Sequence, residues 1–286
     1  MGFIYKIKQY GELVMFSHTL FSLPFALVSM VWAANGFPDF YTFFWILIAL
    51  ISGRNGANAM NRVIDAKFDK KNERVSNRLI PKGEISVVEA TLLSIFLFIV
   101  FEIAAAMLNP LCLILSPLAL GLFILYSYTK RFTWLCHLIL GITCAGAPLG
   151  AWIAVTGNIS WVAIILSLAV AFWIGGFDTL YATQDIAFDR LEGLFSIPAQ
   201  FGLRNSLIIA KIFHGISLIS LMYLSLIYPT GHLYFTGLII IALLFMIEHK
   251  FVKPKDKGLM NWVSYHINQI VSIIFSIFSL LDFYIV

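Results

Sequence analysis

Charge is scarce in this chain. Only 12% of its 286 residues are Asp, Glu, Lys or Arg, whereas 60% are hydrophobic. Long apolar runs occupy most of the sequence, and no segment suited to a soluble domain remains once they are assigned. The sequence therefore predicts an integral membrane protein rather than a soluble enzyme.

Cysteine is also sparse, which limits redox and metal chemistry. The three cysteines, Cys112, Cys136 and Cys144, lie inside predicted membrane spans and form no Cys-x-x-Cys pair. Free cysteine is commonly a small buried packing residue. We expect that role here.

The apolar runs are continuous rather than alternating, which predicts helices and not a membrane β-barrel. A helix needs about 20 apolar residues to cross a bilayer. The first run is too long for a signal peptide and lacks a small-residue cleavage site. We predict one all-α membrane-embedded domain over residues 1–286 with nine transmembrane helices, at 14–34, 41–60, 86–107, 111–128, 134–155, 161–180, 206–228, 233–250 and 261–284.

Lysine and arginine are absent from four connections between these spans, at 35–40, 108–109, 156–160 and 229–232. All 19 basic residues lie near the N-terminus, at the other connections or next to them. Basic residues accumulate on the cytoplasmic side, so the N-terminus and the even-to-odd connections should be cytoplasmic. We expect a multi-pass protein of the inner, cytoplasmic membrane, and the net charge of +4 gives no reason to expect nucleic-acid binding.

Two patches of aspartates with matching spacing stand out, and the first ends predicted span two. Arg54, Asn58, Asn61, Asp65 and Asp69 are separated by 4, 3, 4 and 4 positions. This spacing predicts that all five share one face of a helix.

The second patch ends predicted span six. Asp178, Tyr181, Asp185 and Asp189 are separated by 3, 4 and 4 positions, which again predicts one helical stripe. Both patches end even-numbered spans, so both should reach the cytoplasmic face. This parity suggests two parallel halves of four spans each, followed by a ninth span.

Four carboxylates near a bilayer require a compensating ligand, since each costs roughly 2.5–3.5 kcal/mol there. Oxygen-only ligands favour Mg²⁺, which commonly completes its shell with substrate phosphates. The patches therefore predict a diphosphate held between metal ions. The alternative, solvated charges beyond two helix ends, does not explain the matched spacing, side and parity.

The residues around both patches resemble the two acidic motifs of the UbiA-type intramembrane prenyltransferases. The first motif consists of Asn61, Asp65 and Asp69, followed by Arg74, Asn77-Arg78 and Pro81-x-Gly83; the second consists of Tyr181, Asp185 and Asp189, followed by Ser196-Ile197-Pro198 and Phe201-Gly202. The segment from Tyr126 to Arg131, with Gly141 downstream, resembles the region after span four in the 4-hydroxybenzoate branch.

This resemblance implies a helical bundle around a central cavity that opens to the cytoplasm. It implies that a polyprenyl chain moves from an isoprenyl diphosphate to the ring of an aromatic carboxylic acid in respiratory quinone biosynthesis, with membrane lipid around the protein. The implied catalytic metal ligands for Mg²⁺ are Asp65, Asp69, Asp185 and Asp189. Asn61 would help to hold metal or phosphate.

Basic residues near the patches are candidates for substrate contacts. Lys67, Arg74 and Arg78 are candidates for the diphosphate, together with Asn61. For the acceptor we expect contacts from Arg54, Lys130, Arg131, Tyr181 and Asp178, with Arg54 also able to meet the diphosphate. The alternative for Arg54, Lys130 and Arg131 is contact with lipid headgroups by long side chains.

By overall sequence the chain most resembles 4-hydroxybenzoate polyprenyltransferases, so 4-hydroxybenzoate is the first expected acceptor. However, Asn61-Arg62 stands where many of them have Asn-Asp, and this departure keeps a dihydroxynaphthoate of the menaquinone route open as an alternative. A cation-coupled transporter is a distant third reading. Transporters usually place ions near the middle of the membrane, whereas these aspartates lie at predicted cytoplasmic ends.

Overall fold

The computed structural model describes residues 3–15, 19–251 and 257–285, and within them it contains helices and turns but no strand. The α-helices are α1 Phe3–Leu13, α2 Thr19–Ala34, α3 Phe40–Lys71, α4 Val87–Leu108, α5 Pro110–Thr129, α6 Cys136–Thr156, α7 Trp161–Ala182, α8 Ile186–Leu191, α9 Ile197–Ile227, α10 His232–Phe251 and α11 Lys257–Ile285. A 3₁₀ turn, Thr183–Asp185, separates α7 from α8. The all-α prediction is confirmed for the described residues.

Among the residues that the structure describes, seven helical segments are long and apolar enough to cross a membrane: α4, α5, α6, Trp161–Leu191, α9, α10 and Val263–Ile285. The apolar part of α2, Phe21–Ala34, is shorter. Helix α3 has 32 residues, but Arg54, Asn55 and Asn58 interrupt its apolar run. Nine spans therefore stays a prediction, and residues 16–18 of the first predicted span lie outside the described residues.

The chain divides into two compact units. The first contains α1, α3, α4 and α5, and carries the first acidic patch. The second contains α2 and α6 to α11, and carries the second patch. Each unit brings its own patch to the end of a long helix.

In the first unit, small residues let α3 lie close to α4. A Cβ atom on Gly56 would lie 2.7 Å from the ring of Phe98, and one on Gly53 would lie 3.0 Å from Phe101. The hydroxyl of Ser94 donates to the carbonyl of Gly56 at 2.9 Å. This close packing fixes α3, whose C-terminal half carries the patch.

Helix α1 was not predicted, and it packs on the loop at 72–86 that follows α3. Leu13 of α1 joins Leu79, Ile85 and Ala90 in a buried apolar cluster. At the edge of the cluster, Lys6 of α1 pairs with Glu89 at 3.2 Å. The loop is consequently part of the packed structure of this unit.

In the second unit, α7 is the central helix and packs against α6 and α9. Trp173 of α7 is 1% exposed, and its ring contacts Phe21 and Phe25 of α2. Its indole N–H donates to Asn268 of α11 at 2.6 Å. These contacts fix the helix that leads into the second patch.

Candidate active site

The first patch lies on the C-terminal half of α3. The side-chain amide of Asn61 donates to Oδ2 of Asp65 at 3.0 Å and to the hydroxyl of Ser127 on α5 at 3.3 Å. Residues four apart on a helix are neighbours, so Asn61 and Asp65 share a face as predicted. Asn58 instead donates to the carbonyl of Val14 at 2.7 Å.

Asp69 is the most enclosed acid of the first patch. Its side chain is buried, and Nη1 of Arg78 lies 2.7 Å from each of its two carboxylate oxygens. Arg78 comes from the loop at 72–86, which begins where Asn72 caps α3. The structure thus joins a predicted metal ligand to a predicted diphosphate contact.

The remaining basic residues of this unit are arranged differently from one another. Lys67 is exposed, whereas Arg54 and Arg74 are half-buried. The backbone N–H of Arg74 donates to the side chain of Asn72 at 3.0 Å. Arg62 directs Nη2 towards the sulfur of Met15. The substrate roles of Lys67, Arg54 and Arg74 stay predictions.

The second patch does not lie on one continuous α-helix, which corrects the predicted stripe. Helix α7 ends at Ala182 and the 3₁₀ turn contains Asp185, so Asp189 falls on α8. Two side chains bind carbonyls at this break: Thr183 donates to Leu180 at 2.6 Å, and Gln184 donates to Tyr181 at 3.0 Å. Such local bonds compete with the helical pattern, and a tighter turn rotates the later acids relative to Asp178.

Asp189 is almost completely buried, at 1% exposure. The hydroxyl of Ser196 donates to Asp189 Oδ2 at 2.7 Å and accepts from the backbone N–H of Ala199 at 3.1 Å. Ser196 is therefore both the N-cap of α9 and the partner of a predicted metal ligand. Asp185 is also buried, at 6% exposure.

Asp178 has a partner that sequence reasoning missed. Nδ1 of His137, near the start of α6, lies 2.7 Å from Asp178 Oδ2. His137 is fully buried, and its Nε2 has no hydrogen-bond partner among the described residues. The position of His137 near the predicted cytoplasmic end of span five could have marked it as a candidate site residue. A lone histidine does not, however, predict contact with a carboxylate 41 positions away.

Lys130 lies in the turn between α5 and α6, close to the acids of this unit. Its carbonyl accepts from the backbone N–H of Phe195 at 2.6 Å. Burial disfavours the charge on its ammonium, but Asp189, Asp178 and Asp185 outweigh that effect and raise the pKa of Lys130 above its ordinary value. Lys130 is therefore positively charged at neutral pH.

Arg131, next to it, is exposed. The two basic residues of this turn thus have different surroundings, although the sequence assigned both to the acceptor.

Each patch offers oxygen donors of the kind Mg²⁺ prefers. Within the described residues, no three His, Cys, Asp or Glu side chains form a group that could hold a metal ion. Mg²⁺ commonly takes only one or two protein carboxylates and completes its shell with water and substrate phosphate. The donor set of each patch therefore fits Mg²⁺ in a substrate-completed site.

Known proteins resemble this chain along most of its length. The UbiA prenyltransferase family model matches residues 22–269. A 4-hydroxybenzoate octaprenyltransferase of Vibrio atlanticus (strain LGP32) is 29% identical over 257 residues, covering 89% of this chain and 90% of that protein.

Two solved structures share the fold. The apo structure of a UbiA homolog from Aeropyrum pernix K1 has a TM-score of 0.84 at 29% identity, covering 93% of this chain and 98% of that one. A UbiA homolog from Archaeoglobus fulgidus bound to GPP and Mg²⁺ has a TM-score of 0.71 at 20% identity, covering 96% of this chain and 99% of that one.

Proposed function

The chain belongs to the UbiA prenyltransferase family, and we propose that it transfers a polyprenyl chain from an isoprenyl diphosphate to the ring of 4-hydroxybenzoate. The observation that carries this proposal is the pair of acidic patches, in which Asp69 and Asp189 are each held by a residue of the loop or helix that follows. The Vibrio relative, a 4-hydroxybenzoate octaprenyltransferase, supports the choice of acceptor.

We propose that both patches serve the same diphosphate. Asp65, Asp69, Asp185 and Asp189 would hold Mg²⁺, and Asn61 would orient Asp65 through the bond described above. When bound, Mg²⁺ neutralises charge on the departing diphosphate. The GPP and Mg²⁺ of the Archaeoglobus homolog are the class of ligand that we propose here.

The chain's own residues contribute further positive charge and orientation. Lys67 and Arg74 supply positive charge for the diphosphate. Arg78 supplies a third positive charge while it also holds Asp69. These cations stabilise the electron pair that the diphosphate keeps when the allylic carbon–oxygen bond breaks. The ring carbon beside the hydroxyl then forms the new carbon–carbon bond, and loss of its proton restores aromaticity.

The acceptor end would be formed by Arg54, Lys130, Arg131, Tyr181 and Asp178. The positive charge on Lys130 suits the carboxylate of an aromatic acid. His137 would orient Asp178 through the 2.7 Å contact. Asp178 would then accept the hydrogen bond of the acceptor hydroxyl, which directs alkylation to the neighbouring carbon.

Arg62 favours a second acceptor, a dihydroxynaphthoate, because it stands where many 4-hydroxybenzoate enzymes carry Asp. It directs its guanidinium towards Met15, so this side of α3 carries a positive charge and a thioether. A dihydroxynaphthoate carries the same hydroxyl and carboxylate groups as 4-hydroxybenzoate on a larger, bicyclic ring.

We further propose that the whole chain is one membrane-embedded domain of the inner membrane with nine spans. Its central cavity would open to the cytoplasm. The alternation of basic and non-basic connections supports this orientation. The seven long apolar helices support multiple crossings.

The test is an assay of purified protein in detergent with Mg²⁺, geranyl diphosphate and one aromatic acid. We expect release of diphosphate and a prenylated product identified by mass. With 4-hydroxybenzoate and a dihydroxynaphthoate in equal amounts, alkylation mainly of the former supports the first acceptor, and alkylation mainly of the latter transfers the proposal to the second. Uptake of cations into proteoliposomes without chemical conversion would instead favour a transporter.

A further inference from the structure

Helices α9 and α10 line an open cavity that has no part in the proposed reaction. The two helices form an antiparallel hairpin joined at 228–231, so the early part of α9 lies beside the end of α10. The cavity between them measures about 550 Å³. That volume falls within the range of roughly 300–1,000 Å³ typical of ligand sites.

The rim of this cavity is positively charged. Lys211 of α9 and Lys250 in the last turn of α10 both line it, and both side chains are exposed. Neither lysine has an ion-pair partner among residues 3–15, 19–251 and 257–285. Lys211 also lies inside predicted span seven, where an unpaired charge is costly unless it reaches a headgroup.

A buried polar chain holds a third rim residue, His249. Its Nε2 lies 3.0 Å from Nδ1 of His214, which is itself 2% exposed. Behind His214, the carboxylate of Glu248 lies 3.8 Å from the same Nδ1 and accepts from Asn268 at 2.8 Å. The contact with His214 fixes the orientation of the His249 ring at the cavity. It uses Nε2 of His249, and Nδ1 takes no part in this contact.

The rest of the wall is apolar. Leu218 of α9 and Ala242 and Met246 of α10 line the cavity farther along the hairpin. Met246 is 60% exposed. An apolar wall that continues from a cationic rim suits a molecule with an anionic head and a hydrocarbon tail.

We propose that this groove binds one anionic phospholipid. Its phosphate would lie among Lys211, His249 and Lys250, and one acyl chain would lie along Leu218, Ala242 and Met246. Free phosphate would leave the apolar wall unused, and a zwitterionic lipid would leave the two lysines without net compensation. The site is separate from the acidic patches and does not depend on the transfer reaction.

The test is native mass spectrometry of the full-length protein in detergent with equal amounts of palmitoyl-oleoyl phosphatidylglycerol and phosphatidylcholine. We expect wild type to retain one phosphatidylglycerol in preference to phosphatidylcholine. Each of Lys211→Gln and Lys250→Gln should reduce that preference about fivefold, the effect of one basic side chain at an anionic lipid surface. The matched control, Lys8→Gln/Lys82→Gln, removes two exposed lysines of the first unit and should keep the preference.

A second variant tests the apolar wall without changing charge. Ala242→Phe should displace the lipid while the melting temperature and monodispersity remain those of wild type. Addition of inorganic phosphate should not displace it. Equal retention by Lys211→Gln/Lys250→Gln and wild type, or displacement by inorganic phosphate alone, would overturn the proposal.

Discussion

Arg78 contacts both carboxylate oxygens of Asp69 through a single nitrogen, at 2.7 Å each. The pair joins the loop at 72–86 to the end of α3. Each carboxylate oxygen has two lone pairs, so Asp69 can keep this contact and still offer oxygen to a cation. The arrangement makes Arg78 a positioning residue for the first patch as well as a candidate contact for the diphosphate.

Replacing Arg78 should therefore change how the protein uses Mg²⁺. We expect Arg78→Gln to raise the Mg²⁺ concentration for half-maximal activity by roughly tenfold, as when a supporting contact to a metal ligand is lost. Arg78→Lys should restore part of the affinity. Lys70→Gln is the control, because it removes an exposed cation from the last turn of the same helix. An unchanged Mg²⁺ dependence in Arg78→Gln would refute the positioning role.

The two patches should be equally indispensable. Asp65→Asn and Asp185→Asn should each lower turnover by roughly a hundredfold or more, because charge stabilisation of the diphosphate is lost. Asp39→Asn is the matched control: Asp39 is the exposed N-cap of α3 and accepts from Thr42 at 3.0 Å, a role that Asn fills equally well. Near-wild-type turnover in either patch variant, with folding intact, would remove that acid from the site.

Ser196 combines two roles that a matched pair of variants can separate. Ser196→Ala should lower the free energy of unfolding by about 1 kcal/mol through loss of the N-cap, and it should also weaken Mg²⁺-dependent activity because Asp189 loses its donor. Ser160→Ala removes a similar N-cap from α7, where Ser160 accepts from Ala163 at 3.2 Å. We expect only the stability loss there; equal activity in the two variants would contradict the role at Asp189.

His137 should act on the acceptor through Asp178. We expect His137→Ala to raise KM for the aromatic acid by roughly tenfold or more, the loss typical of a hydrogen bond to a charged group, with KM for the isoprenyl diphosphate unchanged. His137→Asn places an N–H near the position of Nδ1 and should rescue binding in part. In a double-mutant cycle with Asp178→Asn the losses should be non-additive, whereas simple additivity would separate the two residues.

The orientation of the chain can be tested directly. A reporter fused after Lys257 should read cytoplasmic, since the connection before α11 carries several lysines. A reporter fused within 156–160, which lacks Lys and Arg, should read periplasmic. The opposite pattern would reverse the proposed orientation of both patches.

The two acidic patches could be identified from the sequence, because charged residues are rare in this apolar chain. Residues four positions apart are neighbours on any α-helix. Asn61 and Asp65 accordingly share a face as predicted. The break at Thr183–Asp185 was not predictable, since it depends on which carbonyls Thr183 and Gln184 reach after folding.

Contacts between residues distant in sequence could not be predicted either. The bond from Ser196 to Asp189 needs the turn that starts α9, and the contact of His137 with Asp178 needs α6 and α7 to pack in register. Helix α1 was missed because its 11 residues are too few to cross a bilayer. Its apolar side gains stability only from the loop it covers.

The packing of α1 on the loop at 72–86 has a consequence for the rate of substrate binding. Leu13 and its apolar neighbours restrict the backbone that carries Arg74 and Arg78 before any substrate arrives, so the conformational entropy of this segment is lost during folding. If these arginines bind the diphosphate as proposed, the substrate would meet guanidinium groups on an already ordered backbone. Its association rate should then be governed by diffusion within the membrane rather than by ordering of the segment.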